Sequence, residues 1–217
     1  MPDSGFATTQ ASFSKYISAR DDVYFLEPVF IKVEDTIFLV PKYHLARAKR
    51  LNIDLDESSE DTPINLAEKH DVTESDFRAL MKLVHPLDIP VRYELISLIE
   101  WEAILKLCDM WGLDDIRAFA IDSVTPLLNN KPVSKIMLGR EYGQKEWFKE
   151  GCIDLVQRNT GPDVHEGNLL SMEITIRIYQ LRELAGGRGA FDARRAVENK
   201  FQDMLQADTL ARRLRTM

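Results

Sequence analysis

Residues 100–128 read EWEAILKLCDMWGLDDIRAFAIDSVTPLL, and their spacing decides the fold class. Trp101, Ile104, Leu105, Cys108 and Trp111 recur at helical intervals, and Gly112 stands where a left-handed C-terminal cap is expected. Asp114 or Asp115 can cap a second helix, whose stripe is Ile116, Phe119, Ala120, Val124 and Leu127. The run Asn129-Asn130-Lys131-Pro132 stops it. The stretch predicts a helical hairpin with Trp101 and Trp111 in its core rather than around a ligand.

Upstream, Thr73 with Asp76 three residues later predicts a capped helix start, followed by Phe77, Leu80, Met81 and Val84 and closed before Pro86. Further back the composition turns β-branched and aromatic. YFLEPVFIKVED (24–35) and TIFLV (36–40) alternate with period two, which predicts a β-hairpin turning at Glu34-Asp35. Pro41 closes the second strand, and KYHLARAKRL (42–51) predicts a short helix with apolar positions Tyr43, Ala46 and Leu51. The acidic run DLDESSEDT (54–62) is expected to be a solvated loop, and PINL (63–66) a third strand.

Downstream, helices are expected around 133–142 and 145–158, with the breaker NTGPD (159–163) after them. A further stripe runs through Ile174, Ile178, Leu181 and Leu184, and GGRG (186–189) ends it. Residues 190–217 read as a detachable amphipathic helix, and the segment from Arg188 onward carries a net charge of +3. Residues 1–20 mix Ser, Thr, Ala and Gly without periodicity and are expected to be a mobile leader.

The whole chain bounds the function. At 217 residues and 45% hydrophobic it can bury a real core, while its net charge of -7 argues against nucleic acid as a partner of the main body. No signal-like or membrane-spanning stretch is present, no Asn-x-Ser/Thr acceptor occurs, and Cys108 and Cys152 are the only cysteines. A cytoplasmic or nuclear protein with two buried thiols is expected. His44, His70, His85 and His165 are far apart in sequence, so no metal site is expected. Phosphate-cradling glycine motifs and the serine nucleophile elbow are missing, neither cysteine sits in a catalytic signature, and no cofactor is expected.

Three stretches together resemble BTB/POZ proteins of the kind expanded in basidiomycete fungi. They are INLAEKHDVTESDFRALMKLVHP (64–86), the opening 29-residue run with VSKIMLGREYGQKEWFKEGCIDLVQR (133–158), and VHEGNLLSMEITIRIYQLRE (164–183). Trp101, Leu105, Lys106, Trp111, Ile116, Arg117, Ile136, Leu138, Gly139, Tyr142 and Trp147 fall where that family places them. The likeness spans roughly residues 22–184 and is most specific over 71–158. Two departures stand out. Val40-Pro41-Lys42 replaces the common Val-His-Arg, and Ala46 to Leu51 replaces an Ala-x-Ser-x-x-Phe run.

The resemblance implies an α+β BTB/POZ fold, a small sheet flanked by helices, followed by an all-α extension. The expected divisions are a leader (1–20), a BTB/POZ domain (21–130), an appended helical region (131–186) and a charged C-terminal helix (187–217). The implied function is non-enzymatic protein binding, as a substrate-receptor adaptor of a cullin-type ubiquitin ligase or a self-associating scaffold. The alternatives are a transcription-associated regulator acting through the basic tail, or an enzyme with an unrecognised site. Lys42, Arg47, Lys49 and Arg50 form the expected partner-binding surface. A self-facing copy would oppose these like charges, so a weak homodimer or a monomer is expected.

Overall fold

The computed structural model describes residues 20–68, 70–187 and 190–206. Strand β1 (Pro28–Val33) and strand β2 (Thr36–Pro41) pair antiparallel across the Glu34-Asp35 turn, with Val33 opposite Thr36 and Pro28 opposite Pro41. Strand β3 (Ile64–Asn65) lies parallel to β1 on its other side, so the order is β2-β1-β3. Period-two alternation sets the faces: Val29, Ile31 and Val33 are buried while Ile37 and Leu39 are exposed.

Helix α1 (Lys42–Ala46) follows Pro41 directly and buries His44 and Leu45, whereas Tyr43 is half-exposed. The Tyr43 and Ala46 face expected from the sequence is thus replaced by the His44-Leu45 face. A single helical turn seated on the hairpin end takes its inward face from that junction and not from a long period. The acidic run is also more than a solvated loop. Ser58 Oγ accepts the Phe30 N–H at 3.1 Å, Asp56 pairs with Lys42, and Leu55 packs on the core.

Helix α2 (Glu74–Val84) starts on the expected capping box, Thr73 Oγ1 accepting from Asp76 N and the Asp76 carboxylate from Thr73 N. Helix α3 (Leu98–Trp111) buries Trp101, Ile104, Leu105, Cys108 and Trp111 and ends at Gly112, whose φ of 70° is the left-handed conformation that glycine adopts without strain. In helix α4 (Asp114–Leu127) the cap is Leu113 rather than either aspartate. Leu113 is drawn into the core as its N–H bonds Cys108 O, which leaves both acids in the first turn, where the helix dipole favours them. The stripe also differs from expectation: Phe119 is exposed, and Leu128 is buried in place of Leu127, because the last turn tightens beyond Pro126.

Helix α5 (Pro132–Glu141) and helix α6 (Lys145–Gln157) form a close hairpin. The expected closing helix is two, α7 (Val164–Leu170) and α8 (Met172–Ala185), broken at Ser171, whose φ is 81°. Helix α9 (Ala193–Lys200) is not detachable. Val197 and the following Phe201 are fully buried, and the Phe201 ring stands 5.4 Å from that of Phe148. The leader and the rest of the basic tail, residues 1–19, 188–189 and 207–217, lie outside the described residues.

Among the described residues two apolar cores result. The first joins the sheet to α2, α3 and α4, and the second joins α6, α8 and α9. Helices α5 and α6 contribute to both, Leu138, Tyr142 and Trp147 facing the first and Ile136, Phe148 and Cys152 the second. The chain is therefore of mixed α and β structure, with a small three-stranded sheet and mostly helices.

Candidate partner-binding surface

Three of the four expected cations, Arg47, Lys49 and Arg50, meet the turn between α3 and α4, whereas Lys42, the one on α1, faces Asp56. Arg47 is the C-cap residue of α1, and Lys49 and Arg50 stand in the turns beyond. Each meets a group of its own chain: Lys42 pairs with Asp56, Arg47 with Asp115 at 3.1 Å, and Lys49 with Asp114 at 2.6 Å. Arg50 donates to Asp109 O at 3.1 Å and lays its stem against Gly112. The bonds to Asp56 and Asp114 raise the pKa values of Lys42 and Lys49, and Lys49 lowers that of Asp114. The like charges that should have repelled a second copy are thus largely neutralised. A shallow groove of about 50 Å³ is all that lies between Arg47, Lys49 and Asp115.

Sequence reasoning missed a second surface. Between α2 and α3, Leu87 is 88% and Ile89 97% exposed and Leu95 projects likewise, as does Ile99 in the first turn of α3. The sequence PLDIPVRYELIS (86–97) has no helical or strand period, which is why it drew no attention. Its many apolar residues between two prolines and a capping serine were the available signal. Ile99 then borders an open groove of about 300 Å³ between α2, α3 and the end of α5, lined also by Asp76, Glu102, Lys106, Glu141 and Tyr142. Burial, helped by Glu141, raises the Glu102 pKa; Lys106 is held by Asp76 at 3.0 Å, and Tyr142 Oη donates to Glu102 O at 3.1 Å.

The chemistry-bearing residues lie mostly apart. Cys108 and Cys152 are free and buried; burial pushes the Cys108 thiol up to about 12 and that of Cys152 higher, so neither is a nucleophile at neutral pH. His44 and His85, distant in sequence, do come together, their rings 5.6 Å apart. His44 is 6% exposed with an unpartnered Nε2, and burial, then His85 and Arg47, lower its pKa. Among the described residues no group of three metal-ligating side chains converges, and no helix is long and apolar enough to cross a membrane. A larger open groove of about 710 Å³ is lined by Arg177, Gln180, Asn199 and Asp203, without His or Cys.

Comparison with protein-family models, curated proteins and solved structures returned no match.

Proposed function

We propose that the chain is a protein-interaction module of BTB/POZ type that holds another protein through its 86–99 surface, in the manner of an adaptor. The observation that carries the reading is the set of exposed apolar side chains along residues 86–99, Leu87, Ile89, Leu95 and Ile99, the last of which lines the groove beside Lys106. Large apolar side chains left in water along one short segment are unfavourable unless a partner covers them, and an apolar patch marks an interaction site. The surroundings fit that use. The 86–97 segment hangs between two well-capped helices, with Thr73 starting α2 and Ser97 starting α3, so the surface is presented on a fixed frame. A cullin-type scaffold or a substrate recruited to one is the partner class that the family resemblance implies.

The reading is tested by quantitative affinity purification from the native cell, comparing wild type with the Leu87→Asp, Ile89→Asp, Ile99→Asp triple variant. All three side chains are exposed, so the fold tolerates the change. Loss of the principal partner proteins is expected; retention of every partner at wild-type level overturns the reading.

A further inference from the structure

Ile99, Glu102, Ala103 and Lys106 stand at helical spacing on one face of α3, and all four line the open groove of about 300 Å³. Ile99 is exposed, and Ala103 is only partly buried where it packs on the first core. The charges of the groove divide into those matched within the chain and those left over. Lys106 is held by Asp76 at 3.0 Å and by Asp71 at 3.4 Å. Glu100 pairs with Lys82 and accepts the Ser97 N–H at 2.8 Å. Glu102 on α3 and Glu141 at the end of α5 have no ion pair among the described residues. Glu102 is half-buried, and burial, then Glu141, disfavours its charge by more than Lys131, from outside the groove, favours it. Two carboxylates that share a groove without a counter-ion are a like-charge arrangement that an entering cation relieves.

We propose that this groove receives a lysine or arginine side chain of the partner polypeptide, its charge met by Glu102 and Glu141 while the apolar residues flanking it lie on Ile99 and the 86–97 segment. Charge complementarity selects the occupant. The apolar side chains Leu87, Ile89, Leu95 and Ile99 call for apolar neighbours, and the two unmatched acids beside them call for a cation. The inference rests on the reading of residues 86–99 as the interaction surface and adds the chemistry of the partner, a segment in which a basic residue stands among apolar ones. It also supplies a selectivity that apolar contact alone lacks. A segment with glutamine at the basic position leaves both carboxylates unmatched, and one with glutamate adds a third like charge.

Selection from a random-sequence peptide library tests it, run in parallel on the full chain, on Glu102→Gln/Glu141→Gln and on Leu87→Asp/Ile89→Asp/Ile99→Asp, with circular dichroism confirming that each variant is folded. Wild type is expected to enrich peptides that set lysine or arginine among apolar residues. The double variant is expected to keep the apolar preference and lose the basic one, and to bind the leading wild-type peptide about tenfold more weakly. On unaltered protein, the side-chain carboxyl carbon resonances of Glu102 and Glu141 are expected to shift as that peptide binds. A wild-type selection with no basic preference overturns the inference alone, as does a basic preference that survives in the double variant, or carboxyl resonances that stay in place. A wild type that enriches no peptide, or a triple variant that enriches the same peptides as wild type, overturns the reading of the 86–99 surface and the inference with it.

Discussion

Trp111 shows what one side chain contributes to this fold. It is fully buried where α2, α3 and the sheet meet, its ring edge-on to Phe77 at 6.3 Å and to His70 at 6.3 Å. Trp111→Ala leaves a large cavity there and is expected to destabilise the protein by about 3–5 kcal/mol, read from chemical denaturation. An unchanged midpoint would contradict its place in the core. His44 acts through protonation. Its folded-state pKa lies below the ordinary 6.5 because burial disfavours the imidazolium, so the unfolded chain binds the proton more readily. Stability tied to this group is therefore complete above about pH 6.5 and falls as pH drops below it. His44→Leu is expected to flatten the decline between about pH 7 and about pH 5. An identical pH profile in wild type and variant would show that the pair with His85 carries no such linkage. Cys108 and Trp111 were legible as core residues from helical spacing alone. The His44 and His85 contact was not, because 41 positions separate the two, and only the seating of α1 beside the end of α2 brings them together.

The α5 and α6 hairpin depends on two residues without a Cβ. A Cβ at Gly151 would stand 2.6 Å from Pro132 O and 2.7 Å from Ile136 Cγ1; one at Gly139 would stand 2.6 Å from Phe148 N. Alanine is the better helix former by about 1 kcal/mol, so propensity alone predicts that Gly151→Ala stabilises. The backbone approach outweighs that gain, because a carbonyl cannot move aside as a flexible side chain does. A net loss of about 1–3 kcal/mol is expected, measured by denaturant unfolding, and a raised midpoint would contradict the close packing. Most elements were legible in the sequence where a local signal governs them: the hairpin by its alternation, α2 by Thr73 and Asp76, α3 by its stripe and Gly112. The failures arose where tertiary context governs. Leu113 took the cap from Asp114 because the core pulls it inward, and the break at Ser171 requires a positive φ that no serine advertises.

At the scale of the whole molecule, the two cores seen among the described residues share α5 and α6, and α9 with Phe201 belongs to the second. Phe201 packs on Phe148, and Arg177 ties Lys200 O and Asp203 to α8 at 2.8 Å and 2.6 Å. Removing residues 188–217 exposes the apolar faces of α6 and α8, so the shortened chain is expected to lose its cooperative thermal transition over that core. A truncated protein melting like wild type would restore the detachable helix. The candidate surfaces were less legible than the fold. Asp56 comes to Lys42, Asp115 to Arg47 and Asp114 to Lys49 from other parts of the chain, which charge counting along one segment does not reveal. The apolar 86–99 surface was overlooked because its many apolar residues follow no helical or strand period. The most direct test of its role is amide hydrogen exchange on the protein isolated with its native partners, against the protein alone. The account predicts that complex formation slows exchange across residues 86–99. Unchanged exchange there, with protection confined to other segments, would contradict it.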